Sequence, residues 1–262
     1  MPATVKTLVL RAAGTNCDYE LAHAFGMAGS EVELVHINRF VRRERSLDEF
    51  HILGVPGGFT YGDDVSAGKI QANEFRYKLA EDLRRFVEDG KLILGVCNGF
   101  QAMVKARLLP DIYGLFSHQE ATLFNNDVGR FRCEWVRLRA VDQGKCVFTR
   151  GMDHILEVPI AHGEGKFVPE SPQTLWKLWE NRQVVFQYVD AQGWATPEAN
   201  PNGSIDSIAG VCDPTGRIMA LMPHPERHIH PTQHPRWTRE GLQREGQGLL
   251  VFRNAVEYAR GL

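Results

Sequence analysis

Three short segments of the 262-residue chain carry side chains that could act together on a carbonyl carbon. In LGVCNGFQ, residues 94–101, Cys97 stands between two glycines, directly after an apolar run and before a helical pattern. Gly95 and Gly99 allow a sharp strand-to-helix turn, the cysteine form of the G-x-S-x-G elbow. The sulfur then sits over unpaired N–H groups of a helix start, which favour thiolate over thiol. Taken alone, a buried and inert core cysteine accounts for this pentapeptide at least as well. The second segment is MPHPER, 222–227, where His224 and Glu226 are two residues apart. In an extended segment both side chains leave the same face. Pro223 and Pro225 restrict the backbone around the histidine. A rigid His–Glu pair is what a cysteine nucleophile needs as base and orienter. A solvated turn that happens to hold both residues is the weaker account. The third segment, VPGGFTYGDD at 55–64, follows an apolar run. Strands of a parallel sheet end on one edge, so the N–H of Gly58 is expected near Cys97 and, with that of Asn98, would form an oxyanion hole. Gln101, one helical turn beyond Cys97, shares its face and is either a substrate contact or a satisfied amide.

Such residues need a frame. Over the first hundred positions, β-branched or leucine-rich runs (TVKTLVLR, EVELVHI, FHILGVP, KLILGV) alternate with helical patterns at 17–29 and, as one long helix, at about 69–89. That alternation predicts an α/β fold: an open, mostly parallel, doubly wound sheet with helices on both faces. From 120 to 222 strands dominate and are expected to add antiparallel members, and Leu249, Phe252, Ala255, Val256 and Ala259 mark a closing helix. No linker divides the chain, so residues 1–262 are expected to form one domain.

Composition excludes several classes. Hydrophobic residues are 43%, charged residues 24% and the formal net charge is −2, so no bulk charge favours nucleic acid. The N-terminal apolar run is too short for a leader peptide, and no run approaches the roughly 18 apolar residues of a membrane helix. Five cysteines without a C-x-x-C pair predict neither a disulfide framework nor a zinc site, which fits a reduced, cytoplasmic setting. The histidines after the triad segment, His228, His230 and His234, lack clean ligand spacing and read as imidazoles in an exposed loop, so no metal site is expected.

With these elements in this order the chain resembles the class I (triad) glutamine amidotransferases. More narrowly, it resembles the glutaminase-subunit family of phosphoribosylformylglycinamidine synthase. The narrower likeness rests on GTNCD (14–18), PGGFTYGDDVSAG (56–68), GVCNGFQ (95–101), PIAHGEGKF (159–167), NPNGS (200–204) and IAGVCDPTGRIMALMPHPER (208–227). The resemblance implies a flavodoxin-like sheet, Cys97 as nucleophile, His224 as base and acid and Glu226 as orienter. It also implies Gly58 and Asn98 as oxyanion donors, and Gln101, His162 and Gly163 at the glutamine pocket. L-glutamine would be hydrolysed through a thioester and the ammonia passed to a synthetase subunit that aminates formylglycinamide ribonucleotide, with a small accessory subunit in the complex. ATP and magnesium would belong to that synthetase subunit; no cofactor is expected in this chain, which lacks a G-x-x-x-x-G-K-[ST] loop. Two positions depart from the family pattern. Ala13 replaces a frequent proline, and Glu134 stands where many members carry a basic residue, which leaves that position's role open. The competing readings are a glutaminase of another biosynthetic complex, a cysteine peptidase, and a non-catalytic binding subunit.

Overall fold

The computed structural model describes residues 4–262; Met1–Ala3, the start of the segment read above as too short for a leader, lie outside the described residues. Strands β1 (Lys6–Arg11), β2 (Glu31–His36), β3 (Ile52–Val55) and β4 (Leu92–Val96) alternate with helices α1 (Asp18–Met27), α2 (Ile37–Val41), α3 (Lys69–Lys78) and α4 (Ala80–Glu88). After β4 come α5 (Asn98–Lys105), β5 (Ala121–Phe124), β6 (Arg132–Ala140), β7 (Leu156–His162), β8 (Lys166–Pro169) and α6 (Pro172–Glu180). The chain finishes with β9 (Val184–Val189), β10 (Ile208–Cys212), β11 (Ile218–Leu221), α7 (Trp237–Glu240) and α8 (Leu249–Ala259).

Among the described residues nine strands form one sheet in the order β2-β1-β3-β4-β11-β10-β9-β6-β7, and β5 pairs with β8 outside it. The first five are mutually parallel; β10, β9, β6 and β7 are joined antiparallel. Burial follows this division. Every residue of β3, β4, β10 and β11 is buried, as in strands covered on both faces, whereas β7 alternates buried and half-buried. Helices α1 and α8 pack together, with Phe25 edge-on to Phe252 at 5.0 Å between ring centroids, while α3 packs on α5.

The expected single helix over 69–89 is two. The backbone leaves helical geometry at Leu79 (φ −122°, ψ 6°), whose N–H bonds Glu74 O, one residue further back than an α-helical bond reaches. Periodicity hides this break, because Phe75, Leu79, Leu83 and Phe86 keep helical spacing and all are buried. Helix α6, inside the strand-rich region, has a local signature of its own: the Ser171 hydroxyl accepts the Thr174 N–H at 3.1 Å, with Pro172 at the first helical position. The closing helix begins at Leu249 and buries the five apolar residues that its spacing singled out.

The last strand matters most for the site. The outer edge of β7 turns back over the ends of β4 and β11: Pro159 O accepts the His224 N–H at 2.8 Å, and Ala161 O lies 3.7 Å from the Cys97 sulfur. Proline is tolerated there because the outer side of an edge strand has no ladder bond for it to break. Among the described residues no helix is long and apolar enough to cross a membrane.

Candidate active site

Cys97 joins β4 to α5 at φ 51°, ψ −105°, a conformation that costs a non-glycine residue about 1–3 kcal/mol and persists only when its surroundings enforce it. They do so by close approach. A methyl at Gly99 would lie 2.1 Å from Val55 O, so any side chain there would push α5 off the sheet, and one at Gly95 would lie 2.4 Å from the Met103 sulfur, which would have to move. Gly57 is a further position of this kind that the sequence reading passed over. Its missing Cβ would sit 2.9 Å from His224 Cε1 and 3.3 Å from both Cys97 Cβ and Cys17 Sγ. The double glycine after β3 is thus the gap in which thiol and imidazole meet.

His224 and Glu226 are both about 1% exposed, with Nδ1 and Oε1 2.6 Å apart. The expectation of an extended segment is corrected here: Pro225–Arg227 form a single 3₁₀ turn, opened by Pro225 at its first position. The turn brings the carboxylate back under the imidazole, and the His224 N–H bond to β7 fixes the start of the turn. Burial opposes a charge on His224, but the neighbouring Glu226 and Cys97 outweigh it and push the pKa up to about 10. The other ring nitrogen, Nε2, is buried without a hydrogen-bond partner, as is Glu226 Oε2.

Cys97, Gly58, Gln101, His162 and Gly163 line one cleft of about 130 Å³, together with Phe59, Asp63, Ala67, Phe131, Ala161 and Glu164. His224, Glu226 and the Asn98 side chain lie behind its wall, fully buried. Gly58 has φ 131° and pairs with Thr15, and its N–H and that of Asn98 have no intramolecular acceptor among the described residues. Gln101 is an oriented amide, its Nε2 donating to Glu164 O at 2.6 Å.

The tautomer of His162 follows from its partner. Asn126 donates through Nδ2 to His162 O and Arg130 O, so Asn126 Oδ1 is an acceptor and His162 Nδ1, 3.2 Å away, carries the proton. Burial, reinforced by the nearby His224, pushes the His162 pKa down to about 4, which keeps the ring neutral. Gly165 is required beside it, since a Cβ there would fall 2.1 Å from the ring. Asn126, 36 residues away, had no signal in the sequence. Asp63 and Glu164 were also missed; both line the cleft, with Lys105 Nζ 3.8 Å from Glu164 Oε2.

The His-rich segment differs from the exposed loop expected of it. His228 and His234 are buried, stacked 5.4 Å apart and each edge-on to Trp135. His228 Nδ1 bonds Glu157 O at 2.6 Å and His234 Nε2 bonds Glu157 Oε2 at 2.7 Å. Among the described residues two side-chain triads could geometrically hold a cation: Cys17, His224 and Glu226, and Glu157, His234 and Glu240. Each already has a cation of its own. Arg227 donates to Cys17 Sγ at 3.0 Å, and Arg236 bridges Glu157 and Glu240. Glu134, left open above, is paired with Arg132 on its own strand.

Residues 4–259 match the CobB/CobQ-like glutamine amidotransferase domain. The chain is 50% identical over 256 residues, 98% of either chain, to phosphoribosylformylglycinamidine synthase subunit PurQ of Dehalococcoides mccartyi. It is 41% identical over 266 residues to the PurQ subunit of Methanococcus maripaludis, covering 97% of this chain and 98% of that one. Among solved structures, PurLQS from Thermotoga maritima contains a chain that superposes with a TM-score of 0.75 at 30% identity, over 98% of this chain and 99% of that one. A glutamine amidotransferase of the same organism, 17% identical with a TM-score of 0.56 over 99% of this chain and all of its own, shares the fold. Identity at half of all positions along nearly the whole of two chains is a signal of common descent, and it shows that this chain belongs to the PurQ family of phosphoribosylformylglycinamidine synthase subunits, within the CobB/CobQ-like glutamine amidotransferases.

Proposed function

We infer that this chain is the glutaminase subunit of a phosphoribosylformylglycinamidine synthase, with Cys97, His224 and Glu226 as its catalytic residues. The observation that carries the residue assignment is the elbow: a cysteine held at φ 51° on a cleft floor beside two free N–H groups and an imidazole whose Nε2 is unpartnered. In this reading glutamine enters with its carboxamide over Cys97 and its α-ammonium toward Asp63 and Glu164, and Gln101 and Gly163 complete the wall. Identity to PurQ subunits along nearly the whole chain favours a glutaminase over a peptidase.

Cys97 attacks as the thiolate, and the N–H groups of Gly58 and Asn98 take the charge that develops on the carboxamide oxygen. His224, protonated near neutrality, gives its proton to the departing nitrogen; the C–N bond breaks and ammonia leaves a glutamyl thioester. Acylation removes one of the charges that held the imidazole protonated. The ring then becomes a base that takes a proton from water, and hydroxide adds to the thioester. Collapse returns the thiolate and releases glutamate. Glu226 acts through His224, holding the proton on Nδ1.

The ammonia is used by a synthetase subunit that converts formylglycinamide ribonucleotide to formylglycinamidine ribonucleotide. We place ATP and magnesium on that subunit, add a small accessory subunit to the complex, and assign the chain to the cytoplasm, where its five free cysteines stay reduced. Glutamate release by wild type and Cys97→Ala, alone and with the synthetase subunit, formylglycinamide ribonucleotide and ATP, tests the proposal. Activity that rises with the partner and disappears in the variant is expected. A variant that keeps its activity, or a wild type silent in every mixture, overturns it.

A further inference from the structure

The two oxyanion donors of the proposed glutaminase lie on separate elements. Gly58 belongs to the loop after β3 and Asn98 to the first turn of α5, so the spacing of their N–H groups is not set by local backbone geometry. One side chain spans the gap. The Asn98 amide is fully buried, and its Oδ1 accepts the backbone N–H of Thr60, two residues beyond Gly58, at 3.1 Å. Its Nδ2 donates to Asp63 Oδ1 at 2.9 Å and to Gln101 Oε1 at 3.0 Å. Gln101 in turn donates to Glu164 O at 2.6 Å, which carries the chain of bonds to the loop after β7.

We propose that the Asn98 side chain is a positioning residue that holds the two halves of the oxyanion hole in register and ties them to the cleft wall; this rests on the glutaminase reading above. Both its N–H donors and one acceptor site of its oxygen are used, and in one orientation only. A flipped amide would set two N–H donors face to face at Thr60 and an oxygen against the Asp63 carboxylate. The loop it fastens has little freedom on its other side, where Gly58 pairs with Thr15 and a Cβ on Gly58 would lie 2.5 Å from Asn16 Oδ1. Removing the buckle therefore releases the loop as a hinged unit, with Gly58 moving relative to α5. Asp63 and Gln101 line the cleft, so the buckle also makes the oxyanion geometry depend on how the cleft is filled.

The test sets two reactions of the same thiolate side by side in Asn98→Ala and Asn98→Asp. Glutamine hydrolysis passes through an oxyanion. Alkylation by iodoacetamide does not: the sulfur forms its bond to a saturated carbon as iodide leaves with the electron pair. Both variants are expected to lose about 10- to 100-fold in kcat, with KM within about threefold and the alkylation rate of Cys97 within about twofold of wild type. Asn98→Asp follows Asn98→Ala because its second oxygen would face Asp63 and Gln101 Oε1. A kcat within about threefold of wild type overturns the proposal, as does alkylation falling in parallel with kcat or an effect confined to KM. Loss of the fold in both variants assigns the side chain to stability and also overturns it. Cys97→Ala, run in parallel, separates this outcome from failure of the glutaminase reading, since retained activity there sinks the reading itself.

Discussion

Two buried histidines near each other in sequence each pair with a carboxylate, His224 with Glu226 and His234 with the half-buried Glu157, at nearly equal distances of 2.6 and 2.7 Å. By residue type they are the same device; by their remaining valences they are opposites. Glu157 also meets Arg137 and Arg236, and His234 Nδ1 lies 3.5 Å from Glu240, so charge and hydrogen bonding in that cluster are used up. His224 Nε2 and Glu226 Oε2 are left without partners, beside a cysteine in a strained turn. A saturated pair holds structure together, whereas an unsaturated one next to a cleft is poised to bond something that comes and goes.

The strongest way to break this contrast is substitution in each pair. Glu226→Gln is expected to lower kcat for glutamine hydrolysis by about 10²- to 10⁴-fold with little change in KM, because the imidazole loses the partner that fixes its tautomer. Glu157→Gln, its counterpart, is expected to leave kcat within about threefold while costing about 1–2 kcal/mol of stability, read as a lower midpoint in a urea melt. Equal kinetic effects from the two would dissolve the distinction.

A second comparison concerns acid. His162 has its pKa depressed to about 4 in the fold against 6.5 in the open chain, so the unfolded state binds the proton first. Its contribution to stability is complete above pH 6.5 and is lost as pH falls toward 4, by about 3 kcal/mol at most. His162→Gln should flatten this part of the stability–pH curve. His224 runs the other way: its pKa of about 10 makes its contribution complete below pH 6.5 and removes it as pH rises through 10. A thermal-melt series from pH 4 to pH 10.5 on wild type and His162→Gln separates the two limbs.

The smallest effect tests whether an unsatisfied group suffices to mark a site. Asp111 Oδ1 is buried without a partner, and burial, aided by Asp213 and Glu120, pushes its pKa up to about 7, yet it lines no part of the Cys97 cleft. Its fold-dependent penalty grows as pH rises from 3.8 to 7. Asp111→Asn is therefore expected to raise the melting temperature slightly at pH 8 and hardly at pH 4, with kcat unchanged. Asparagine also suits the residue's φ of 63°. A fall in kcat would place Asp111 in the machinery and weaken the rule drawn from the two pairs.

Local chemistry was readable wherever it depends on neighbours in the chain. The glycines around Cys97 and after β3 announced a tight elbow, and the prolines around His224 announced rigidity. Distance hid the rest. Thr60 and Asn98 are 38 residues apart, Asn126 and His162 36, Glu157 and His234 77, and none of these pairs leaves a trace in spacing. Misreadings had the same root. Histidines between prolines look solvated until Trp135 and Glu157 arrive from β6 and β7, and an unbroken apolar period at 69–89 conceals the turn at Leu79.

The sequence by itself determined the doubly wound frame, the strand-to-helix elbow and the identity of the candidate nucleophile, base and orienter, because backbone sterics and periodic burial act over a few residues. Only the tertiary structure decided where β7's edge closes, which imidazole nitrogen is left free, and how a buried asparagine links two loops. Those depend on desolvation and on hydrogen bonds whose partners meet only when the sheet curls back on itself.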